Sequence, residues 1–539
     1  MSPPPPSTPD PGGAALPLVA LIAGPTATVL NTDPLVTSQK ARTLHGLRPA
    51  RDWFGREVQV DTLYFQRLAA PVTLYVEAGS AHPLESETIG QSLTPDGYLD
   101  VHQVFSVHRR SPEDRPVHAL TLHPDDGLYP LPYAGRRADG QAWERHDVGS
   151  PPRQTFFPDA ARLLDEIERT ASVLNGNLRA RARFRLLRAA PSAGRAPEQA
   201  GVDYFPYGYD EHFPPRGALA QVTAVVQQAL DDPEVRGVVW LEGSPRLAET
   251  LYWLNLVCDT EKPLVGTAAQ RPNRRLGADG GQQLVDAIDY VLSSAWNDGS
   301  GRDRAGAVLV SDQRIFAARE VAKRAGRPGG FSDLGDSGGV LGTTSGPCLS
   351  FVPTRRHGRG SALRSSQLPV SVPGFLGPVT IKLGPATLLP SAIPYVEIVS
   401  LPGWMTHAGA PGAVIVDQVQ SAVRRIRAES ALGGIVAEGV TGGHFEQVEA
   451  NALDYAAACG LPVVKVGRDA PGSGVPAPGH RLWIGGGNLT AAKARVLLMA
   501  SLLALGTLPS AVNPGAPTEA EVAAIRARLR AFQALFDTH

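Results

Sequence analysis

The chain has 539 residues, and its 51 Lys and Arg residues balance 52 Asp and Glu residues to a formal charge of −1. Such a length corresponds to about three domains, or to two large ones with insertions. The balanced charge lacks the basic excess of a nucleic-acid-binding protein. The three cysteines offer neither a disulfide framework nor a zinc site, and no run approaches the roughly 18 apolar residues of a membrane span. A cytoplasmic protein without nucleic-acid or membrane partners is predicted.

The first predicted element is the apolar run Leu16–Gly24, which is typical of a strand buried on both faces of a parallel sheet. Residues 1–15 before it are expected to form a flexible leader. The polar loop 25–42 follows the strand, and open α/β sheets place their ligand sites where buried strands end in this way. A β-rich insertion is predicted over about 55–150. It rests on three short β-like runs, 72–78, 98–108 and 116–123.

Helical spacing returns at 158–174, and the next segment, Leu178–Arg188, alternates arginines with apolar residues. A period of two is that of a β-strand, so we predict a strand whose arginines face solvent. The other interpretation of this segment, an arginine-rich nucleic-acid arm, has no support from the net charge.

Two long regions alternate helices with β-branched strands, which is the pattern of βαβ units and a parallel sheet. A Pro-, Gly- and Arg-rich stretch, 326–377, separates them. The predicted fold class is α/β, with a large N-terminal parallel-sheet domain (16–370) that carries the insertion and a smaller C-terminal α/β domain (391–539) after a linker (371–390). The predicted helices are 218–230, 246–258, 280–294, 416–430, 445–460 and 490–506, and the predicted strands are 237–243, 262–268, 305–312, 394–401, 433–440 and 461–467.

Two short motifs are set aside. Gly335–Gly339 reads GDSGG, the nucleophile loop of trypsin-like serine proteases. That fold consists of two β-barrels and needs a His and an Asp in their own upstream contexts, which this sequence lacks. We therefore interpret the match, and Ser337 within it, as coincidence. The GGGN sequence at 485–488 fits a phosphate nest or an ordinary loop, and the loop is favoured.

Hydroxyl and amine side chains follow the predicted strands in three places. Thr26 and Thr28 come after the first strand, Ser244 lies at a strand-to-helix turn, and Lys323 lies beyond a third strand. A Thr or Ser nucleophile needs a base, and a Lys kept neutral by burial can accept its proton. Each residue also has a purely structural interpretation, since hydroxyls at strand ends cap helices and lysines decorate surfaces.

Taken together, these segments resemble the bacterial L-asparaginase/glutaminase family. Gly24–Thr28 (GPTAT) stands in place of the family's Thr-Gly-Gly-Thr-Ile-Ala signature. Glu242–Thr250 (EGSPRLAET) stands in place of the signature His-Gly-Thr-Asp-Thr-x-Glu-Glu-Thr. The stretch 262–288 resembles the family sequence that contains Ser-Ala-Asp-Gly-Pro. Ala318–Arg324 (AREVAKR) falls on the family's ARxVTKTNT, and Asn488–Met499 resembles the carboxy-terminal helix of the smaller domain.

The resemblance implies a hydrolase that converts a side-chain amide to a carboxylate and ammonia, with backbone N–H groups stabilising the oxyanion. It implies Thr26 as the nucleophile, or Thr28 if the Gly-Pro pair shifts the register. Ser244 keeps the hydroxyl of the second signature, with Lys323 as its proton partner. It implies a small-molecule amide substrate, no cofactor or metal, and a homodimer or homotetramer. The implied substrate-binding residues are Asp210, Glu211, Gly243 and Thr28.

The second signature also departs from the family. Pro245 replaces an Asp (sometimes Asn) and offers neither a carboxylate nor a backbone N–H, and Arg246 replaces a Thr. Gly442–His444 replaces a stretch where the family often carries an Asn that reaches the neighbouring subunit. Two functions follow: an asparaginase-like amidohydrolase acting on L-asparagine or a related small amide, or a catalytically impaired homologue that binds a small molecule or a partner. We favour the first because all three candidate catalytic residues keep usable functional groups.

Overall fold

The computed structural model shows an α/β protein, which confirms the predicted fold class. Two sheets dominate it, one of eight strands with a parallel centre and one of four parallel strands. No helix in the described part of the chain is long and apolar enough to span a membrane. The described residues are 15–24, 35–37, 72–77, 117–122, 128–130, 178–188, 215–271, 277–333, 339–353, 361–384, 387–400, 411–445, 447–468, 474–476, 479 and 481–539.

The amino-terminal part contributes two parallel strands to the large sheet. Strand β1 (Leu18–Ala23) confirms the predicted apolar strand, and all six of its residues are buried. Two small antiparallel pairs follow, and the longer one confirms the β-like runs at 72–78 and 116–123. The run at 98–108 and the helix at 158–174 lie outside the described residues. The elements after β1 are β2 (Leu35–Thr37), β3 (Val72–Glu77), β4 (Val117–Leu122), β5 (Leu128–Pro130), α1 (Leu178–Arg181) and β6 (Arg183–Arg188).

The strand predicted over Leu178–Arg188 is wrong at its start, because the first four residues form the short helix α1. The arginines also do more than face solvent. Arg181 pairs with Asp289 at 2.6 Å, and Arg185 pairs with Asp232 at 2.5 Å. The alternation of charged and apolar residues therefore places arginines where they link β6 and α1 to neighbouring elements.

The region 215–312 has the helix–strand alternation that the sequence predicts. All of its predicted elements are confirmed, with ends displaced by at most a few residues. Glycines without side chains bring two of these strands close to their helices: a Cβ at Gly266 would lie 2.8 Å from the side chain of Leu251. The elements are α2 (Ala218–Asp231), β7 (Val235–Leu241), α3 (Leu247–Val257), β8 (Leu264–Thr267), α4 (Gly280–Leu292) and β9 (Val308–Ser311).

Short strands follow β9 and continue into the Pro-, Gly- and Arg-rich stretch (326–377), which the sequence presents only as a separator. The chain first reverses at Asp312 and Gln313, whose positive φ angles of 52° and 59° are those of a tight hairpin turn. Three antiparallel strands then extend the large sheet. Two further strands pair with each other as a separate hairpin. The elements are β10 (Arg314–Ala317), β11 (Val321–Lys323), β12 (Phe331–Asp333), β13 (Val340–Thr343) and β14 (Cys348–Leu349).

Two hairpins occupy the range 371–390, and the four-stranded sheet with its helices follows them. The strands and helices predicted over 394–506 are confirmed. Helix α8 is an element that the sequence analysis does not include. The elements are β15 (Ser371–Gly374), β16 (Gly377–Thr380), β17 (Lys382–Leu383), β18 (Thr387–Leu388), β19 (Tyr395–Ser400), α5 (Pro411–Glu429), β20 (Gly433–Gly439), α6 (Gln447–Ala458), β21 (Val463–Gly467), β22 (Ile484–Gly485), α7 (Ala491–Leu505) and α8 (Glu519–Thr538), with 3₁₀ turns at Pro390–Ala392 and Thr441–Gly443.

The order of strands in the large sheet is β14-β13-β10-β9-β8-β7-β1-β6, and β9, β8, β7, β1 and β6 run parallel. In the small sheet the order is β19-β20-β21-β22. One apolar cluster continues from the large sheet through α3 and α7 into the small sheet, and a second covers the opposite face of the large sheet beneath α4. The two sheets therefore share a core.

Candidate active site

The candidate site lies where β1 and β7 end. The chain passes from β1 outward to β6 and then back across β1 to β7, so the strand connections diverge between β1 and β7. In open α/β sheets, such a divergence leaves a crevice at the carboxyl ends of the two strands, where ligands bind. The two ends are joined here by a hydrogen bond of 2.7 Å from the backbone N–H of Gly24 to the carbonyl oxygen of Leu241.

Gly24 allows this close approach because it has no side chain. A Cβ at this position would lie 2.6 Å from the ring of Trp240 and 3.1 Å from Oε2 of Glu242. The first distance is far below van der Waals contact, so the glycine determines where the chain leaves β1. Thr26 and Thr28 follow within four residues and lie, like Asp210 and Glu211, outside the described residues. Their roles remain predictions.

Gly243 and Ser244 form the turn from β7 into α3. The carbonyl oxygen of Gly243 accepts backbone hydrogen bonds from Arg246 and Leu247, both at 3.0 Å, and this closes the turn. Pro245 fits within it because a residue at the start of a helix has no helical partner for its N–H. Ser244 is 9% exposed. Gly243 and Ser244 thus follow β7, the strand that pairs with β1, and their roles in a site remain predictions.

Glu242 is a buried carboxyl group that is not among the predicted site residues; it stands where the resembled signature has a His. It ends β7 at 2% exposure, and its Oε2 accepts a hydrogen bond of 3.1 Å from Nε1 of Trp240. Its own N–H donates to the carbonyl oxygen of Thr267, at the end of β8. A buried acidic side chain thus lies at the meeting point of β1, β7 and β8. Its signal in the sequence is an acidic residue ending an apolar strand.

Lys323 lies in the β11–β12 hairpin, opposite Phe331. Its Nζ is buried, lies 4.8 Å from the centroid of the Phe331 ring, and has no hydrogen-bond partner among the described residues. Burial lowers the pKa of Lys323 to about 8, and the nearby carboxylate of Asp279 opposes that shift. Lys323 is therefore not a surface lysine. It makes no hydrogen bond to Ser244 in this structure, so their pairing remains a prediction.

Asp279, whose carboxylate acts on Lys323, and Gln270, whose backbone bonds to Asp279, were not among the predicted site residues. Asp279 accepts hydrogen bonds from the backbone N–H groups of Gln270 and Arg271, both at 3.0 Å. Nε2 of Gln283 also donates to it, at 3.1 Å. Nε2 of Gln270 is buried and, within the described ranges, has no partner. Buried donors are normally paired, so two unpaired donors near one carboxylate suit an oxygen-bearing ligand. Both residues lie in the stretch 262–288, where Asp279 is the Asp of the GADGG sequence that resembles the family's Ser-Ala-Asp-Gly-Pro.

A cleft of about 780 Å³ opens beside Glu242, between α2, α3, β19 and α7. Trp253 and Met499 contribute to its apolar lining. Charged side chains border it, and an ion pair of 2.5 Å between Arg495 and Glu249 connects α7 to α3. Among the described residues, no three His, Cys, Asp or Glu side chains form a group suited to a metal ion.

The fold is α/β, and its candidate ligand site lies at the carboxyl ends of parallel strands. Residues 216–333 match the family model described as the asparaginase N-terminal domain. Over 105 residues the chain is 35% identical to a glutaminase-asparaginase of Acinetobacter glutaminasificans, covering 20% of this chain and 30% of that protein. It is 30% identical over 142 residues to probable L-asparaginase 4 of Schizosaccharomyces pombe, covering 26% of this chain and 38% of that protein.

The similarity to the asparaginase/glutaminase family is thus carried by the segment 216–333, which contains Ser244 and Lys323 but not Thr26. The chain's matches span well under half the length of these relatives. A crystal structure of a probable cytoplasmic L-asparaginase from Campylobacter jejuni superposes with a TM-score of 0.47 and 19% identity, covering 70% of this chain and 91% of that one.

Proposed function

We propose that this protein is an asparaginase-like amidohydrolase that releases ammonia from L-asparagine or a related small amide. The observation that carries the proposal is Lys323, whose buried amine has no partner in the described part of the chain. With a pKa lowered to about 8, a far larger fraction of Lys323 than of an exposed lysine is unprotonated near neutral pH and able to accept a proton. Its position in the segment that matches the family supports the same conclusion.

The proposed reaction proceeds in two steps. The hydroxyl oxygen of Thr26 (Thr28 in the alternative register) attacks the amide carbon, and the C–N bond breaks to release ammonia, leaving an ester on the enzyme. Lys323, acting through Ser244, accepts the hydroxyl proton and returns a proton to the leaving nitrogen. Water then hydrolyses the ester, releasing the carboxylate product and restoring the hydroxyl. Backbone N–H groups at the strand ends stabilise the oxyanion in both steps.

Asp210, Glu211 and Gly243 are proposed to bind the substrate, in a homodimer or homotetramer. The division into domains at 16–370 and 391–539 is part of the same proposal.

One observation favours the second candidate function, a catalytically impaired binding protein. Pro245 closes the turn after Ser244 and supplies no carboxylate there. Glu242, three residues earlier, is the buried carboxyl group nearest in the chain.

The test is ammonia release from L-asparagine and L-glutamine by the purified protein, with Thr26→Ala and Thr28→Ala as a matched pair. We expect turnover in the wild type that one of the two variants abolishes and the other retains, which identifies the nucleophile. No release from either amide refutes the hydrolase. If L-aspartate then still raises the melting temperature, the binding function replaces it.

A further inference from the structure

Lys493 is a fully enclosed lysine on α7, at 2% exposure. Its Nζ donates hydrogen bonds to the carbonyl oxygen of Ala248, at 2.5 Å, and to that of Ala318, at 2.6 Å. It also lies 5.2 Å from the ring centroid of Tyr252 on α3. Both hydrogen bonds come from the same nitrogen, so this single atom joins the two segments.

The two acceptors belong to the two segments that carry described candidate catalytic residues. Ala248 lies in the first turn of α3, four residues after Ser244. Ala318 follows β10, five residues before Lys323. The residue after Ala318 is anchored as well: Arg319 donates to the backbone oxygen of His539 at 2.6 Å and to Oδ1 of Asn488 at 2.9 Å.

We propose that Lys493 is a positioning residue of the candidate active site, whose Nζ holds the Ser244 segment and the Lys323 segment in fixed relation. The inference rests on the proposed function. It adds a role for the small-sheet region in catalysis, because α7 packs against both α3 and the strands β19 and β20. Lys493 touches neither the substrate nor the reacting groups, and it acts through the two backbone carbonyls.

Charged side chains on the elements packed against Lys493 affect its protonation. The carboxylates of Glu249 on α3 and of Glu320 in the 318–320 turn favour its charged form, and Arg319 opposes it. Arg495, on α7 itself, is paired with Glu249. Burial is the largest effect and lowers the pKa of Lys493 to about 7. Two carbonyl dipoles and two acidic neighbours therefore compensate for placing an amine at this depth.

Lys382 provides a matched control. It is also buried, at 6% exposure, and its Nζ donates to the carbonyl oxygens of Ser365 and Ser366, at 2.9 and 3.2 Å. Its contacts lie at the other end of α3, where the N–H of Ser365 bonds to the carbonyl oxygen of Val257, the last residue of that helix. Replacing either lysine by Met removes an Nζ that bridges two carbonyl oxygens. Only the Nζ of Lys493 joins the two candidate site segments.

The experiment compares Lys493→Met with Lys382→Met in the full chain. We expect both variants to melt at lower temperature. We expect kcat for ammonia release to fall about 10- to 100-fold in Lys493→Met only, with KM changed less than about threefold, because misplaced groups cost turnover rather than binding. Hydrogen exchange should accelerate in peptides covering 243–250 and 318–324 in Lys493→Met and stay at the wild-type rate in Lys382→Met.

Equal kcat in the two variants, or a rise in KM alone, overturns the proposal. If Lys493→Met does not fold, Lys493→Arg replaces it, since a guanidinium group keeps the charge but cannot place one nitrogen between both carbonyls. If the wild type releases no ammonia, the proposed hydrolase is refuted, and hydrogen exchange alone decides the role of Lys493. Unchanged exchange in both segments then overturns that role too.

Discussion

The pH dependence of turnover tests the proposed role of Lys323 most directly. If neutral Lys323 is the base, kcat follows the fraction of Lys323 that has lost its proton. With a pKa of about 8, that fraction is about one-tenth at pH 7 and about nine-tenths at pH 9. Turnover should therefore rise about tenfold between these two values and then level off. A lysine with the usual pKa of 10.5 would be about 1 part in 3,000 neutral at pH 7, and its activity would still be rising at pH 9.

Asp279→Asn should shift the pH at which kcat rises in one defined direction, and a general loss of activity would not produce such a shift. The Asp279 carboxylate favours the charged form of Lys323, so its removal lowers the pKa of Lys323 further. The Asn oxygen can still accept the N–H groups of Gln270 and Arg271, because a single oxygen of Asp279 accepts both now. We expect the rising limb of the kcat profile to move to lower pH in the variant.

The assay is ammonia release at saturating amide between pH 6 and pH 10, for the wild type, Asp279→Asn and Lys382→Met. The third protein lacks a buried lysine remote from the site, and its profile should match that of the wild type. A wild-type profile that is flat between pH 7 and pH 9 contradicts the argument. So does an Asp279→Asn limb that stays in place or moves to higher pH.

Three further predictions concern stability and are measured by chemical denaturation. Gly24→Ala should lower the free energy of unfolding by about 1–3 kcal/mol, because its Cβ would overlap the Trp240 ring. An unchanged midpoint would show that the ring moves freely aside. Trp240→Phe should lower the free energy of unfolding by about 1–3 kcal/mol, since the Glu242 carboxyl group loses a buried donor. Glu242→Leu should then lower the free energy of unfolding less in the Trp240→Phe background than in the wild type. Arg319→Met should cost about 3–5 kcal/mol by leaving the Glu320 carboxylate buried without its cation, and a loss below about 1 kcal/mol would contradict that account.

The parallel part of the fold was predictable because its signals are local. β1 and β7 are apolar runs that end in polar loops, and the helices between them have one apolar face. The antiparallel strands β10, β13 and β14 were not predictable, since they are short and the reversal from β9 into β10 depends on a turn at Asp312 and Gln313. Helix α8 did have a local signal that was overlooked: Thr518 and Glu521 form a capping box at its start.

The residues of the candidate site also fall into those that the sequence indicates and those that only the structure shows. Ser244 and Lys323 could be singled out because they stand in recognisable motifs next to strand ends. Lys493 could not, because its role arises from contacts with segments that are distant in the chain; Asp279 stands in a recognisable motif, but its effect on Lys323 depends on a contact across 44 residues. Nothing in the sequence around Lys493 distinguishes a lysine that faces solvent from one enclosed among carbonyl groups.

The burial of α7 on nearly all sides has a consequence for how the molecule unfolds. Eleven of its fifteen residues are buried, and their apolar neighbours belong to both sheets. A helix without a polar face cannot remain exposed in water when one sheet separates from the other. The two sheets should therefore melt in a single cooperative transition. A fragment cut between 370 and 390 would present a large apolar surface and aggregate rather than fold.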